Sequence, residues 1–308
     1  MAPHVFDMSR KLSPGQRSVV HIGRVDGQAS VEIYVTSEML LEAPNWAGPW
    51  LYLNGNGHLW RLAADGRSAP EKVDIDGLPP INNDHVLAVN GATMYASAFD
   101  GHIYRAPLWG GSAVRITNTH DGEPGYRLHF LHGLSPDGST LAYTGVHLPS
   151  VDLGSLDTAS IYSHIWSLPA PGGVDRQLTL GDRNSDGAEF SRDGEWIYFN
   201  TELFTEAPGH AQIARMRTDG SDKQQLTFDD NVNWFPHLSP DGGRWLYLSY
   251  PPGTVGHPEN RPVEIKLVTD DWTAPTTLVR LFGGQGTINV NSWSPDGTQF
   301  AFVSYPIG

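Results

Sequence analysis

The chain has 308 residues, of which 39% are hydrophobic and 10% aromatic, enough to bury a large core. Its formal charge of −14 at pH 7 argues against a nucleic-acid backbone or an anionic membrane surface as partner, because either would repel it. The absence of cysteine excludes disulfide staples, thiolate metal sites and a cysteine nucleophile.

Residues 1–17 read as a polar leader without a strong period. They contain no apolar stretch of the kind an export signal needs, and no later run is long enough to span a bilayer. The expectation is a soluble, cytoplasmic chain, or a periplasmic one if a signal has been removed. Residues 18–36 read as two strands joined by the turn Asp26-Gly27. Six units then follow, each marked by an aromatic in its second strand: Tyr52, Tyr95, Tyr143, Tyr198, Tyr247 and Phe302. They recur at intervals of about 50 residues, a period that suits four short strands per unit.

A turn signal punctuates the later units. Ser135-Pro136-Asp137-Gly138, Ser239-Pro240-Asp241-Gly242 and Ser294-Pro295-Asp296-Gly297 share it, with a variant at Ser191-Arg192-Asp193-Gly194. Proline presets one turn dihedral, aspartate bonds its own backbone and glycine takes the positive φ, so each reads as a tight hairpin. In the first two units, Gly48-Pro49-Trp50 and Asn90-Gly91-Ala92 stand in its place. The outer half of each unit also repeats, as in HIWSLPAPGGVDRQLT and QIARMRTDGSDKQQLT. The sixth unit stops at Tyr305 after two strands, and residues 18–36 line up with the outer halves that it lacks. The fold expected is therefore all-β: a six-bladed β-propeller over 18–308, in one domain, closed by N-terminal outer strands pairing with C-terminal inner strands. Such closure removes exposed sheet edges.

Turns at one face of this propeller are short, while the long connections gather at the other, here called the top. They are 145–163, 201–210 and 250–262, with the inner-strand approaches 74–84, 118–128 and 228–233. Long loops on a rigid scaffold are where binding concentrates. Asn83, Asp84, Arg127, Asn231, Asn233, Trp234 and Asn289 are the candidate ligand-binding residues. Indole faces stack on sugar rings while amides and carboxylates bond hydroxyls; the alternative is that Trp234 packs between blades. Trp60, Trp166 and Trp293 hold repeat positions and read as core. For acid–base chemistry the candidates are His237, Asp186, Glu189 and His85, the last beside Asp84, since a carboxylate near an imidazole in a polar funnel can pass protons. The competing reading is that these groups cap loops and turns. For a divalent ion such as manganese or calcium, His129, His132, His237 and Gln285 could converge in space, although each histidine could equally be a structural hydrogen-bonding group. His147, His164, His210 and His257 lie on the long loops. No GxSxG nucleophile elbow occurs. Gly283-Gly284-Gln285-Gly286 is followed by a strand and not a helix, so it reads as a connection placing Gln285 near the axis.

The SPDG turn followed by an aromatic-rich strand, with outer halves ending in Leu-Thr, resembles the TolB-like propeller family over nearly the whole chain from residue 18. That resemblance implies a propeller and, as in TolB itself, binding of protein partners at the cell envelope; TolB is periplasmic and carries an additional N-terminal domain. More distantly, the repeats are similar to those of oligogalacturonate lyases, which hold a divalent metal such as manganese with His and Gln ligands and cleave uronate polymers by β-elimination. The lyase motif places Gln and two His just before an SPDG turn. Here Asn231-Val232-Asn233-Trp234-Phe235-Pro236-His237 departs from it, with Asn in place of Gln and a single His. The function expected is binding of a small polar ligand, a carbohydrate or uronate, in the top-face funnel, with metal-assisted or acid–base lyase or hydrolase chemistry. The alternative is a non-enzymatic protein-interaction scaffold.

Overall fold

The computed structural model describes residues 9–119, 125–149, 161–269 and 271–308. Every regular element among them is a β-strand. None is a helix long and apolar enough to cross a membrane. Six antiparallel sheets succeed one another around an axis, a six-bladed propeller. The inner strands of blades one to five are Leu41–Ala47, Ile81–Leu87, Tyr126–Leu134, Ser185–Phe190 and Val232–Leu238, and three further strands follow outward in each.

Blade six closes the ring as the sequence predicts. Ser18–Arg24 pairs antiparallel with Gln299–Ser304 in the register Val20↔Val303 and Ile22↔Ala301, and Val31–Thr36 lies outside it. The innermost strand expected here is reduced to one bridge, Trp293↔Phe300. A parallel pair not legible in the sequence, Ile75–Asp76 with Gly111–Ser112, ties the exit of blade one to the outer turn of blade two.

Local chemistry explains both repeats. In the SPDG turns the serine hydroxyl donates to the aspartate, as in Ser135 Oγ to Asp137 Oδ1 at 2.6 Å and Ser294 Oγ to Asp296 Oδ1 at 2.6 Å. The same aspartate oxygen accepts the N–H of Ser139 or Thr298 at 3.0 Å. Gly138 and Gly297 take φ of 73° and 67°, which a Cβ disfavours. The Thr of each outer half also has a task. Thr117, Thr179 and Thr227 accept the backbone N–H groups of Ile103, Ile165 and Ile213 at 3.1, 2.9 and 2.9 Å, satisfying buried donors that the short fourth strands leave unpaired.

Cohesion comes from packing between blades. Val20, Ile22, Leu51, Leu53, Leu62 and Val303 form one such layer between blades six and one. Each fully buried aliphatic side chain is worth about 1.5–3 kcal/mol. Trp293 is buried as expected, but Trp60 and Trp166 are only half-buried. Their rings sit on the outer strands, where the Trp60 indole donates to the Gly55 carbonyl at 2.9 Å and Arg127 covers Trp166 at 4.1 Å.

Candidate functional site

Each inner strand crosses the channel wall in one register. Trp46, Val86, Leu134, Phe190, Leu238 and Trp293, one per blade, ring a lower cavity of about 600 Å³ at the mouth bearing the SPDG turns. The residues four positions earlier, Glu42, Asn82, Phe130, Asp186, Trp234 and Asn289, all line an upper cavity of about 1070 Å³. Between these positions the first five inner strands bulge. Three bulges carry a left-handed residue: Ala43 (φ 51°), Gly187 (φ 66°) and Phe235 (φ 55°). A bulge turns the side chain before it toward the axis.

The upper cavity is the funnel foreseen at the top face, and its floor is a charged cluster. His132 Nε2 lies 3.0 Å from Asp186 Oδ1 and 3.9 Å from Asp84 Oδ1. Asp186 Oδ1 also accepts Thr144 Oγ1 at 2.6 Å and the Gly187 N–H at 2.7 Å. Burial opposes a charge on His132, but Asp84 and Asp186 outweigh it and lift the ring to about 9. Burial raises Asp84 to about 6, with His132 opposing and Asp186 adding to the rise. Burial works against the Asp186 anion as well, yet the bonds from His132 and Thr144 hold it down at about 2. One imidazolium, one firm carboxylate and one carboxyl poised near neutrality therefore share the floor.

The walls complete the site. His257 Nε2 stands 3.8 Å from Asp186 Oδ2, and its Nδ1 meets Gln285 Oε1 at 2.5 Å. Burial lowers the pKa of His257, with Asp186 opposing. The ring of His257 lies 4.4 Å from that of Trp234. Gln285 also accepts from Asn289 Nδ2 at 2.9 Å and donates to Asn83 Oδ1 at 3.3 Å. Glu42 is held by Arg10, Asn54 and Asn83. The Trp234 indole Nε1 and Asn54 Oδ1 are buried without a hydrogen-bond partner among the described residues, and both residues line the cavity.

The remaining candidates lie elsewhere. His237 sits below the funnel, its Nδ1 2.7 Å from Glu189 Oε2 and its Nε2 2.7 Å from the Ile288 carbonyl. Glu189 Oε1 accepts the Leu238 N–H at 2.8 Å and Asn291 Nδ2 at 2.7 Å. This clasp joins blades four, five and six and uses both nitrogens of His237. His85 is fully buried, bonds Asn45 Oδ1 at 2.7 Å through Nδ1, and is pushed down to about 3 by burial, so it is neutral. Arg127 packs on Trp166 with Asp175 at 3.7 Å, beside a small cavity within blade three. Asn231 lines a separate cavity on blade five, and Asn233 is tied within that blade to Asp229 and Ser249 at 2.9 and 2.8 Å. His129 bonds the Gly101 carbonyl at 2.6 Å outside the funnel lining. Of the expected metal set, only His132 and Gln285 line the funnel. Among the described residues no cluster of three His, Cys, Asp or Glu is placed to hold a metal ion, and His129 and His237 do not join His132 and Gln285 at the funnel. The loop 145–163 falls largely outside the described residues.

Glu42, Asn54 and Arg10 join the site without having been foreseen. The signal for Glu42 was present: Glu42-Ala43-Pro44-Asn45-Trp46 aligns with Trp234-Phe235-Pro236-His237-Leu238, proline included. Arg10 carries no such signal, because it arrives from the leader by a tertiary route.

Comparison with known proteins agrees with the fold. No family model matches the sequence. An uncharacterised protein of Agrobacterium fabrum is 37% identical over 306 residues, covering 96% of each chain. A solved structure from Agrobacterium tumefaciens, assigned to TolB, is 36% identical, covers 94% of this chain and 99% of its own, and superposes with a TM-score of 0.80. TolB of Acinetobacter baumannii (15% identity, TM-score 0.59, 88% of this chain and 65% of that one) and a manganese-bound oligogalacturonate lyase (11%, 0.56, 94% and 78%) share the fold alone. By its repeats, its closure and its relatives, the chain belongs to the TolB-like six-bladed β-propeller family.

Proposed function

We propose that the protein binds a small polar ligand of carbohydrate type in the top-face funnel, and that Asp84 exchanges protons with it. The observation that carries this reading is the Asp84–His132–Asp186 floor at the base of a deep cavity lined from all six blades. A pocket of this size takes a mono- or disaccharide, with Trp234, Phe235 and Phe130 as apolar walls and Asn54, Asn82 and Asn83 as hydroxyl partners. A carboxyl near neutrality beside a permanent carboxylate is the pairing that acid–base catalysis of lyase or hydrolase type uses. The test is thermal melting against neutral, acidic and amino sugars. A bound ligand at a hundredfold over its Kd adds about 2.7 kcal/mol of stability, and Asp186→Ala should abolish that gain. A panel without a shift in the intact protein counts against the reading.

A second reading, docking of a protein partner, is favoured by the lower mouth. There the apolar ring adjoins Trp109 and Val89, 60% and 65% exposed. Pull-down with the intact protein and with Trp109→Ser separates the two readings. A stoichiometric partner lost in the variant favours docking.

A further inference from the structure

The polar groups left open in the funnel have a chemical bias. Asp186 Oδ1 is saturated by its donors, but among the described residues Asp186 Oδ2 receives nothing closer than His257 Nε2 at 3.8 Å. Asp84 Oδ2 accepts from Asn82 at 2.8 Å, whereas among the described residues Oδ1 has only the His132 ring at 3.9 Å. Asn54 Oδ1 lines the same cavity, 3% exposed as a residue and without a donor among the described residues. Asn54, Asp84 and Asp186 thus offer open acceptors on blades one, two and four. Two buried donors, Trp234 Nε1 on blade five and Nδ1 of the His132 imidazolium on blade three, are also without a partner among the described residues. A buried polar atom without a partner costs about 1–3 kcal/mol, so a ligand that supplies a donor to Asn54 and an acceptor to Trp234 recovers that cost, while Asp84 and Asp186 offer it charged acceptors.

Charge points the same way. Asp84 and Asp186 share one imidazolium, and Glu42 is already matched by Arg10. With both aspartates ionised, the floor carries one uncompensated negative charge. A uronate carboxylate brought to this floor would meet carboxylates at close range in a poorly hydrated site, where repulsion is strong. An ammonium group brings three donors, no acceptor and a positive charge.

From the open acceptors of Asp84, Asp186 and Asn54, together with the unpartnered Trp234 donor, we infer that the funnel's ligand is an amine-bearing polyhydroxy compound, an amino sugar whose ammonium group sits on the floor between the two aspartates. The inference rests on the reading that the funnel binds a small polar ligand and names the class of that ligand. In its absence Asp84 compensates by taking up a proton near pH 6, because burial and the neighbouring Asp186 and Glu42 raise it while His132 and Asn82 oppose. An arriving ammonium displaces that proton. Its affinity should therefore rise with pH through 6, and fall again only where the ligand's own ammonium loses its proton. His132, protonated up to about 9, does not change charge over that interval; burial lowers His257, with Asp186 opposing, and its ring 3.8 Å from Asp186 Oδ2 faces the same floor.

The experiment is isothermal titration of the full chain with three matched probes, glucosamine, glucose and glucuronate, each as monosaccharide and β-1,4 disaccharide, at pH 5 and 7.5. The expected result is binding of the amino member at least about tenfold tighter than the neutral one at pH 7.5, as a charge-assisted bond to a carboxylate requires. That preference should shrink at pH 5 and in Asp84→Asn. Equal or tighter binding of glucose or glucuronate overturns the inference and leaves the funnel reading intact. Binding by no member of the set overturns both. The comparison uses the unmodified protein, so it stands even where a variant fails to fold.

Discussion

His132 Nε2 stands 3.0 Å from Asp186 Oδ1 on one side and 3.9 Å from Asp84 Oδ1 on the other, so a single imidazolium from blade three holds together carboxylates of blades two and four. Neither carboxylate alone would place a charge at the channel floor cheaply, since each is buried.

This bridge has a pH signature. The pKa of His132 in the folded chain, about 9, lies above its ordinary 6.5. The folded state therefore holds the proton more tightly than the unfolded one. The stabilisation is complete below pH 6.5 and is lost as pH rises through 9. For a fully buried group it is on the order of 2 kcal/mol. Melting curves of the intact protein should fall between pH 7 and 9.5 relative to those of His132→Gln. Parallel curves would mean that the ring is neutral in the fold.

The clasp at His237 predicts a different outcome. His237→Ala leaves the Glu189 carboxylate without its imidazole and opens a gap between three blades. A loss of about 3–5 kcal/mol is expected, as for a broken buried pair. Denaturant titration measures it, and ligand affinity of the folded fraction should be unchanged. If affinity falls while stability holds, His237 belongs to the site and not to its frame.

Trp234→Phe removes the unpartnered indole N–H and retains most of the apolar contact. In the free protein this should be neutral or stabilising by up to about 1 kcal/mol, since it deletes an unsatisfied buried donor. Ligand affinity should fall about fivefold or more, the equivalent of one lost hydrogen bond. Paired melting and titration experiments decide whether that donor serves the ligand.

Gly187→Ala tests the bulge. Gly187 has φ of 66°, and a Cβ there would lie 2.4 Å from Asn200 Oδ1 and 3.1 Å from the Phe235 ring. Strain from the dihedral alone is about 1–2 kcal/mol, and displacement of Asn200 disturbs its 3.1 Å bond to the Phe235 N–H. The variant should melt lower and lose ligand binding through Asp186, whose Oδ1 accepts the Gly187 N–H. Wild-type affinity in this variant would argue that the bulge does not position Asp186.

Legibility followed the range of the interactions. The SPDG turns, the aromatic second strands and the Thr-ended outer halves were readable because their hydrogen bonds close within one hairpin or one blade, as in Ser135–Asp137 or Ile103–Thr117. Closure by Ser18–Arg24 was readable because an orphan pair and an incomplete unit match in pattern. Asp186, Asp84, Asn83, Asn289 and Gln285, read from the sequence as facing the axis, line the upper cavity, whereas Arg127, Asn231 and Asn233, read the same way, lie outside it.

What the sequence determined by itself was the repeat, and with it the number of blades, the closure and the face on which polar side chains gather. What only the tertiary structure decided was which of those side chains meet. Bulges such as those at Ala43 and Phe235 turn neighbouring residues in different directions, so Trp234 reaches the funnel while His237, three positions on, locks blades together below it. Arg10 reaches Glu42 and Glu259 from the leader, and His132 joins aspartates of two other blades. The physical reason is that repeat patterning is a short-range property of the chain, whereas convergence at an axis depends on the summed rotation of six blades, to which no local pattern is sensitive.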